Sequence, residues 1–462
     1  MGFQSIPFSC PTTHRRLILG LLALGSLVCV QAAVMAAEPS SAALRDAQIA
    51  FERQQYERVL TLVEPLIKGG APEARRLKVR SLVRLGRPDD ALTEYERLEE
   101  RSKESPLLRE VAIGFITPVL KDMREQMRGA AYTALKEMNS DETIPYLEDG
   151  LSDGSGLVRA LAAEGLGRLK AGQRSARLRR AIEDQAAMVR VAVLKAMGRS
   201  GDQAVIGLVG KSLNDEQSVV RVAASGALVM LGRSEAWTRL SETAAAPNPD
   251  ERGAALRMLG ELHDRRALPI LQQALDDAQP SVRGAAAIAL GELEAPEAAS
   301  ALIRALNDSI PAVRASAAVS LGEMPAPNSI PALKKSLGDA NPAVRAAAVS
   351  SLLRLNVPYE EIADVVRALT HGADPGTRSS AAKALSKSRG QNAREAIEVL
   401  RLLLDDPLPR PRIAAARALG QIGGVEATPI LKHALRDQDE AVRATAGGAL
   451  VRVLDHHGNH RK

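Results

Sequence analysis

An arginine recurs at nearly constant spacing through the last three quarters of this chain of 462 residues. The intervals are 31 residues seven times, then 33, 34 and 31, and an alanine-rich stretch follows each arginine. A fixed period of this size is typical of stacked supersecondary units. The tag arginines, as we call them, are Arg128, Arg159, Arg190, Arg221, Arg252, Arg283, Arg314, Arg345, Arg378, Arg412 and Arg443.

Each repeat has the pattern of two helices. In residues 296–324, Pro296 stands where a first helical turn needs no amide partner, and apolar residues follow at helical spacing. A second helix starts near Pro311, and Gly322 is expected to end it. The chain is 45% hydrophobic but only 2% aromatic, as suits close helix packing through Ala, Leu and Val. We therefore predict an all-α fold, an α-solenoid of eleven units over residues 106–455, forming an arc on the order of 100 Å.

An aspartate stands six residues before the tag in nine of the eleven units. In the turn before a second helix, its carboxylate can accept backbone N–H groups and faces the positive helix end. The tag arginine can reach the carboxylate of its own or the next unit, which predicts a structural ladder along the stack. Its aspartates are Asp122, Asp153, Asp184, Asp215, Asp277, Asp308, Asp339, Asp406 and Asp437, each six residues before a tag arginine. Ala246 and Gly372 take this place in the other two units, where we expect missing rungs and a bend or groove.

The motif Asp-x5-Arg-x-x-Ala-x-x-x-Leu-Gly resembles the HEAT-like repeat of phycobilisome lyase subunits, over residues 107 to about 455. The resemblance implies that the second helices line a concave face. The family includes deoxyhypusine hydroxylase, in which His-Glu pairs hold two irons, and bilin lyases, which handle tetrapyrroles. This chain has no His-Glu pair, and no residue in it can be assigned a role in bilin chemistry.

The segment 38–105 precedes the repeats and predicts about four amphipathic helices. The stretch from Leu85 to Tyr95 resembles the middle of a tetratricopeptide (TPR) repeat. In that resemblance Gly86 ends one helix, and Ala91 and Tyr95 lie on the inner side of the next. The internal period is 32 residues rather than 34, and the first-helix signature of the family is absent. A plain helical cap on the array is the alternative interpretation.

The first 36 residues have the pattern of a signal peptide. Arg15 and Arg16 precede an apolar run of fourteen residues, and a small-residue zone follows that permits cleavage after Ala36. We expect an exported, periplasmic protein. The alternative is an inner-membrane anchor, with residues 17–37 left uncleaved as a tether. Both cysteines, Cys10 and Cys29, lie in this segment, so the mature chain would contain no cysteine.

The sequence predicts no catalytic residue, no metal site and no cofactor. There is no Gly-rich phosphate loop after a strand, and the seven histidines are scattered. Three of them lie in the segment 456–462, which we interpret as a polar tail. We therefore expect a protein that is not an enzyme.

The strongest unpaired charge run is a candidate partner-binding patch: Arg168, Lys170, Arg174, Arg177, Arg179 and Arg180. The alternative is a solvated helix face. Loss of residues 1–36 would lower the formal net charge from +6 to +4, because Arg15 and Arg16 leave with them, and stacking aromatics are scarce. Nucleic acid is therefore not an expected partner.

We predict a scaffold or adaptor that binds a protein or peptide on a solenoid surface. A family-type enzyme or cofactor-handling protein and a membrane-tethered assembly factor are the alternatives.

Overall fold

The structure, a computed structural model, describes residues 42–99, 105–324, 326 and 328–459. Helices and no strand occur in these ranges, as the all-α prediction requires. The expected signal segment 1–36 and the tether 17–37 lie outside the described residues. No helix in the described ranges is long and apolar enough to cross a membrane. The chain divides into two bodies, residues 1–111 and 112–462.

Among the described residues of the N-terminal body, four helices precede α5 (Ser105–Gly114): α1 (42–52), α2 (Tyr56–Lys68), α3 (Pro72–Arg84) and α4 (Pro88–Glu99). Gly86 follows α3 with a φ of 70°, which glycine adopts without strain, and so terminates that helix as predicted. Ala91 and Tyr95 are buried on α4, also as predicted. The core of this body is aliphatic, centred on Val59, Val63 and Leu77.

Eleven two-helix units follow, and α5 crosses the division between the two bodies. The first helices are α5 (Ser105–Gly114), α7 (Ile144–Gly150), α9 (Ala176–Arg180), α11 (Ile206–Lys211), α13 (Glu235–Thr243), α15 (Leu268–Ala274), α17 (Ala299–Ala305), α19 (Ser329–Ser336), α21 (Ala363–Thr370), α23 (Asn392–Leu403) and α25 (Ala427–Ala434). The second helices are α6 (Glu125–Met138), α8 (Gly156–Arg168), α10 (Ala187–Ser200), α12 (Ser218–Met230), α14 (Pro249–Glu261), α16 (Pro280–Glu292), α18 (Pro311–Glu323), α20 (Pro342–Arg354), α22 (Pro375–Leu385), α24 (Pro409–Ile422) and α26 (Glu440–Asn459).

Short 3-10 helices complete several of the first helices and turns: Thr117–Lys121, Asp141–Thr143, Gly172–Arg174, Ala181–Glu183, Gln203–Val205, Ser212–Asn214, Arg265–Ala267, Pro296–Ala298 and Tyr359–Glu361. Six second helices, from α14 to α24, begin with proline, whose missing N–H costs nothing at that position. Helix α26 extends to Asn459, so residues 456–459 of the expected tail are helical. Residues 460–462 lie outside the described ranges.

The glycines eight residues after a tag arginine do not end the second helices. Gly322 lies inside α18, and a Cβ on it would be 2.8 Å from the Cα of Ser351 on α20. The expectation that this glycine ends the helix is therefore wrong: its missing side chain lets the next helix approach. The same contact occurs at each such glycine, always to the residue six after the next tag: Gly167–Ala196, Gly198–Ala227, Gly260–Ala289, Gly291–Ser320, Gly322–Ser351 and Gly420–Ala449.

The row of second helices closes on itself. Each second helix packs against the next, and the last one, α26, packs against the first, α6. At this joint, a Cβ on Gly448 would lie 2.8 Å from the Cβ of Ala134, and one on Gly447 would lie 2.5 Å from the carbonyl oxygen of Ala112. Two successive glycines weaken a helix, but here they remove the atoms that would hold α26 and α6 apart. The expected open arc is therefore wrong for the repeat body.

A second joint resembles the closing joint. In α12, a Cβ on Gly226 would collide with the side chain of Met258 on α14, just as Gly448 would with Ala134. Both glycines stand five residues after a tag arginine, instead of eight. These joints thus bring neighbouring helices together about one helical turn away from the usual position.

Candidate inner binding face

The exposed side of the second helices lies on the inside of the bend. Lys195 of α10 pairs with Glu261 of α14 across α12, at 2.5 Å, and Arg417 of α24 pairs with Glu137 of α6 across α26, at 3.0 Å. Side chains from helices two places apart can meet in this way only on a concave side. We call this surface the inner face; it contains the exposed residues one, two, five and nine positions after each tag. The concave placement agrees with the one that the family resemblance implied.

The ladder joins neighbouring units. Arg283 Nε and Nη2 donate to the two carboxylate oxygens of Asp308 in the next unit, at 2.7 and 3.0 Å. Its Nη1 donates to the carbonyl of Asp277 in its own unit at 2.9 Å. The Asp308 carboxylate also accepts the backbone N–H of Ile310 at 2.8 Å. One guanidinium therefore holds the turn of its own unit and that of the next in a defined orientation.

Eight bidentate pairs of this kind occur within the described residues, and all of them cross a joint. They are Arg128–Asp153, Arg159–Asp184, Arg190–Asp215, Arg252–Asp277, Arg283–Asp308, Arg314–Asp339, Arg378–Asp406 and Arg412–Asp437. Between the two possibilities that the sequence leaves open, the carboxylate of the next unit is the one that is bound.

Three joints show no such pair within the described ranges. Arg221 reaches Glu251 at 3.1 Å in place of the missing aspartate, so that joint keeps a weaker ionic contact. Arg345 has no carboxylate partner among the described residues, and its Nη1 donates to the carbonyls of Asp339 and Ala340. At the closing joint, Arg443 lies over the ring of Phe115 at 5.8 Å, and Asp122 binds Arg124 instead. Asp122 is thus placed outside the ladder.

The arginines lower the pKa values of seven ladder carboxylates. Hydrogen bonds from Arg252, Arg283 and Arg314 hold the pKa values of Asp277, Asp308 and Asp339 below the usual range, against the opposing effect of burial. For Asp153, Asp184, Asp215 and Asp406, burial is the largest single influence and raises the pKa, but the hydrogen bonds and the arginine charges together outweigh it.

The candidate patch at residues 168–180 is divided in the structure. Arg168 lies on the inner face, where it lines a cleft of about 770 Å³ with Lys195, Glu261 and Glu292. Arg177 pairs with an aspartate of the preceding unit (Asp149), and Arg179 pairs with one of the following unit (Asp202). The side chains of Lys170, Arg174 and Arg180 are exposed. These six residues therefore do not form one surface, and their role in partner binding stays a prediction.

A basic cleft of about 570 Å³ occupies the inner face further along the chain, and sequence analysis missed it. Its charged lining consists of Lys383, Lys387, Arg410 and Arg417, with Glu137 as the one acid. These cations come from α22, the turn after α22 and α24, and are separated in sequence, so no charge run marks them. Lys383 and Arg417 stand five residues after their tags, Lys387 stands nine after and Arg410 two before, so only the packing of α22 beside α24 brings the four together.

An apolar groove of about 410 Å³ adjoins the basic cleft and shares Ser380 and Lys383 with it. Ile288 and Val319 line it and are 40% and 44% exposed. Apart from Lys383, the remainder of its lining is alanine and serine from α18, α20 and α22. Among the described residues, no three His, Cys, Asp or Glu side chains are grouped so that they could hold a metal ion.

Residues 113–186, 238–322, 300–386 and 362–451 match a family model described as HEAT repeats. Among solved structures, human deoxyhypusine hydroxylase in complex with glycerol is similar at 20% identity, over 69% of this chain and 97% of that one, with a TM-score of 0.30. The complex of CpcE and CpcF of phycocyanin lyase from Nostoc sp. is similar at 20% identity, over 56% and 92%, with a TM-score of 0.33. The E. coli protein YibA is similar at 17% identity, over 62% and 94%, with a TM-score of 0.29. No curated protein matched the chain.

Proposed function

The chain belongs to the HEAT-repeat family, and on that premise we propose that it is a scaffold whose inner face binds a protein or peptide partner. The observation that carries the proposal is the pair of adjoining depressions on the inner face, one apolar and one basic. Large apolar side chains exposed next to unpaired charges are typical of surfaces that a partner covers.

The design of the repeat body agrees with this role. Most tag arginines join one unit to the next, and the small residues eight and six after the tags are buried between helices. Apart from the ion pairs Lys195–Glu261 and Arg417–Glu137, the inner-face residues have neither task and can meet a partner. A scaffold needs a stable frame that presents such a surface, and it needs no reacting group.

Photo-crosslinking tests the proposal. A photoreactive amino acid is placed at Ile288 or Val319 on the inner face, and as matched controls at Leu402 or Val425, which are 60% and 63% exposed elsewhere. In the native cell, the inner positions should form a discrete protein adduct that the outer positions do not form. Adducts from the outer positions alone would overturn the proposal. Stoichiometric iron or a bound tetrapyrrole in the untagged, purified protein would also overturn the proposal. Either finding would favour an enzyme or a cofactor-handling protein.

The proposal includes export. It rests on the pattern of residues 1–36, a basic start followed by an apolar run and small residues. Mass spectrometry of the protein from its native cell should find Ala37 as the first residue, in a soluble fraction outside the cytoplasm. A membrane-bound protein that retains residues 17–37 would support the tethered alternative instead.

A further inference from the structure

Three cations of the basic cleft have no partner within the described part of the chain. The side chains of Lys383, Lys387 and Arg410 form no ion pair and no hydrogen bond there, whereas Arg417 is paired with Glu137 at 3.0 Å. Most tag arginines, by contrast, are bound by a carboxylate. The cleft therefore combines unsatisfied positive charge with a concave surface.

The local electrostatics favour the arrival of negative charge. Burial, together with the nearby charges of Arg354, Arg389 and Lys383, lowers the pKa of Lys387 from its usual value and outweighs the opposing effect of Glu323. An anionic group placed beside it would relieve this repulsion and gain charge-assisted hydrogen bonds. Such a group interacts more strongly here than at a fully solvated lysine, because the surrounding protein lowers the local dielectric constant.

The serines of the cleft leave acceptor positions open. Ser379 Oγ donates to the carbonyl of Pro375 at 2.7 Å, and Ser380 Oγ donates to that of Gly376 at 2.9 Å. A hydroxyl has one donor hydrogen and two acceptor lone pairs, so both oxygens can still accept a hydrogen bond. A peptide offers N–H donors to such acceptors, which the phosphodiester backbone of a nucleic acid does not.

The adjoining apolar groove extends the site. Val319 and Ile288 are exposed there beside small side chains, and the groove meets the basic cleft at Ser380 and Lys383. A ligand that fills both depressions needs apolar side chains at one end and acidic ones at the other. A bilayer surface does not enter a concave face, and no aromatic residue lines either depression to stack a base.

We infer that the inner face of α16 to α24 binds an acidic, amphipathic segment of a protein partner, with its apolar side chains against Val319 and Ile288 and its carboxylates at Lys383, Lys387 and Arg410. This inference rests on the proposed scaffold function and names the chemistry of the partner. The serines Ser379 and Ser380 accept hydrogen bonds from the peptide.

Fluorescence anisotropy of the full mature chain tests it. The probe is a fluorescein-labelled peptide of glutamate and leucine, with leucines three and four residues apart, and the control probe has glutamine in place of glutamate. We expect the acidic probe to bind at least tenfold more tightly than the glutamine probe, and its binding to weaken as salt is added. The triple variant Lys383→Ala, Lys387→Ala, Arg410→Ala should lose at least tenfold in affinity.

A matched triple variant, Arg304→Ala, Lys335→Ala, Arg394→Ala, removes the same charge from exposed positions on the first helices α17, α19 and α23 and should bind within twofold of the parent. Equal binding of the two probes would overturn the inference, as would equal losses in the two triple variants. Cleft-dependent binding of a single-stranded oligonucleotide or of anionic vesicles in preference to the acidic peptide would overturn it too.

The outcome can be separated from that of the scaffold proposal. A protein adduct from Ile288 or Val319, together with no affinity for the acidic probe, would reject the acidic segment and leave the scaffold in place. If there is neither an adduct from these positions nor affinity for the acidic probe, both the acidic segment and the scaffold proposal are rejected.

Discussion

Glu137 and Arg417, 280 positions apart in the chain, form an ion pair of 3.0 Å across helix α26. They can meet because Gly448, between them on α26, lets that helix seat against Ala134 of α6. The pair of Lys195 and Glu261 spans α12 in the same way, over Gly226. A glycine five residues after the tag thus accompanies an ion pair that skips one helix at both places.

The substitution Gly448→Ala should destabilise the repeat body by about 1–3 kcal/mol, because the added Cβ overpacks the closing joint. Gly129→Ala, on α6, is the matched control: no atom of the described residues lies within 4 Å of its added Cβ, so the better helix propensity of alanine should stabilise by about 0.5–1 kcal/mol. Urea unfolding followed by circular dichroism measures both. If close packing at the closing joint did not contribute to stability, the two variants would show the same increase in unfolding free energy.

The Arg283–Asp308 rung is mostly buried, with 15% and 11% of its side chains exposed. Asp308→Ala should cost about 1–3 kcal/mol of unfolding free energy, because it leaves the arginine without its carboxylate. The control is Glu398→Ala, which removes an exposed pair with Arg401 and should cost at most about 1 kcal/mol. Equal costs in urea unfolding would show that the rung acts as an ordinary surface pair.

Stability should fall in acid, and the ladder should be one cause. Asp277, Asp308 and Asp339 have lowered pKa values in the folded state, so the unfolded chain takes up their protons first as the pH falls below about 3.9. Their contribution is full above that pH and is lost as the pH falls through the folded values. The stability difference between the parent and Asp308→Asn should therefore shrink from about pH 5 toward about pH 2. A difference that is constant with pH would contradict this assignment.

The unpaired Arg345 offers a gain-of-stability test. Gly372 occupies the place of the ladder aspartate, and Gly372→Asp should supply the missing carboxylate and add about 1 kcal/mol relative to Gly372→Ala. The alanine variant has the same Cβ, which lies 3.2 Å from Thr377 Cγ2, so the comparison isolates the charge. The longer interval does not prevent pairing, because Arg378 and Asp406 pair across 28 positions. Equal stability of the two variants would show that the turn holds the carboxylate out of reach.

The helical units could be predicted because their signals are local and repeated. Each signal can be recognised within about one turn of helix. Examples are Pro311 at a helix start, the valine before the tag and the alanines after it. The function of Gly322 could not be predicted, because a glycine near a helix end fits both a terminus and a close approach. The basic cleft was also missed, since Lys383 and Arg410 belong to different units and become neighbours only when the second helices pack side by side.

The sequence by itself determined the two-helix unit, the number of units and the residues available for the ladder, because these depend on spacing within about thirty residues. The tertiary structure decided which carboxylate each arginine binds, where the inner face lies and that α26 meets α6. Closure depends on the sum of small rotations over all the joints, and no single repeat contains that sum. Gly447 and Gly448 permit the final contact, but only the accumulated curvature brings Ala134 to meet it.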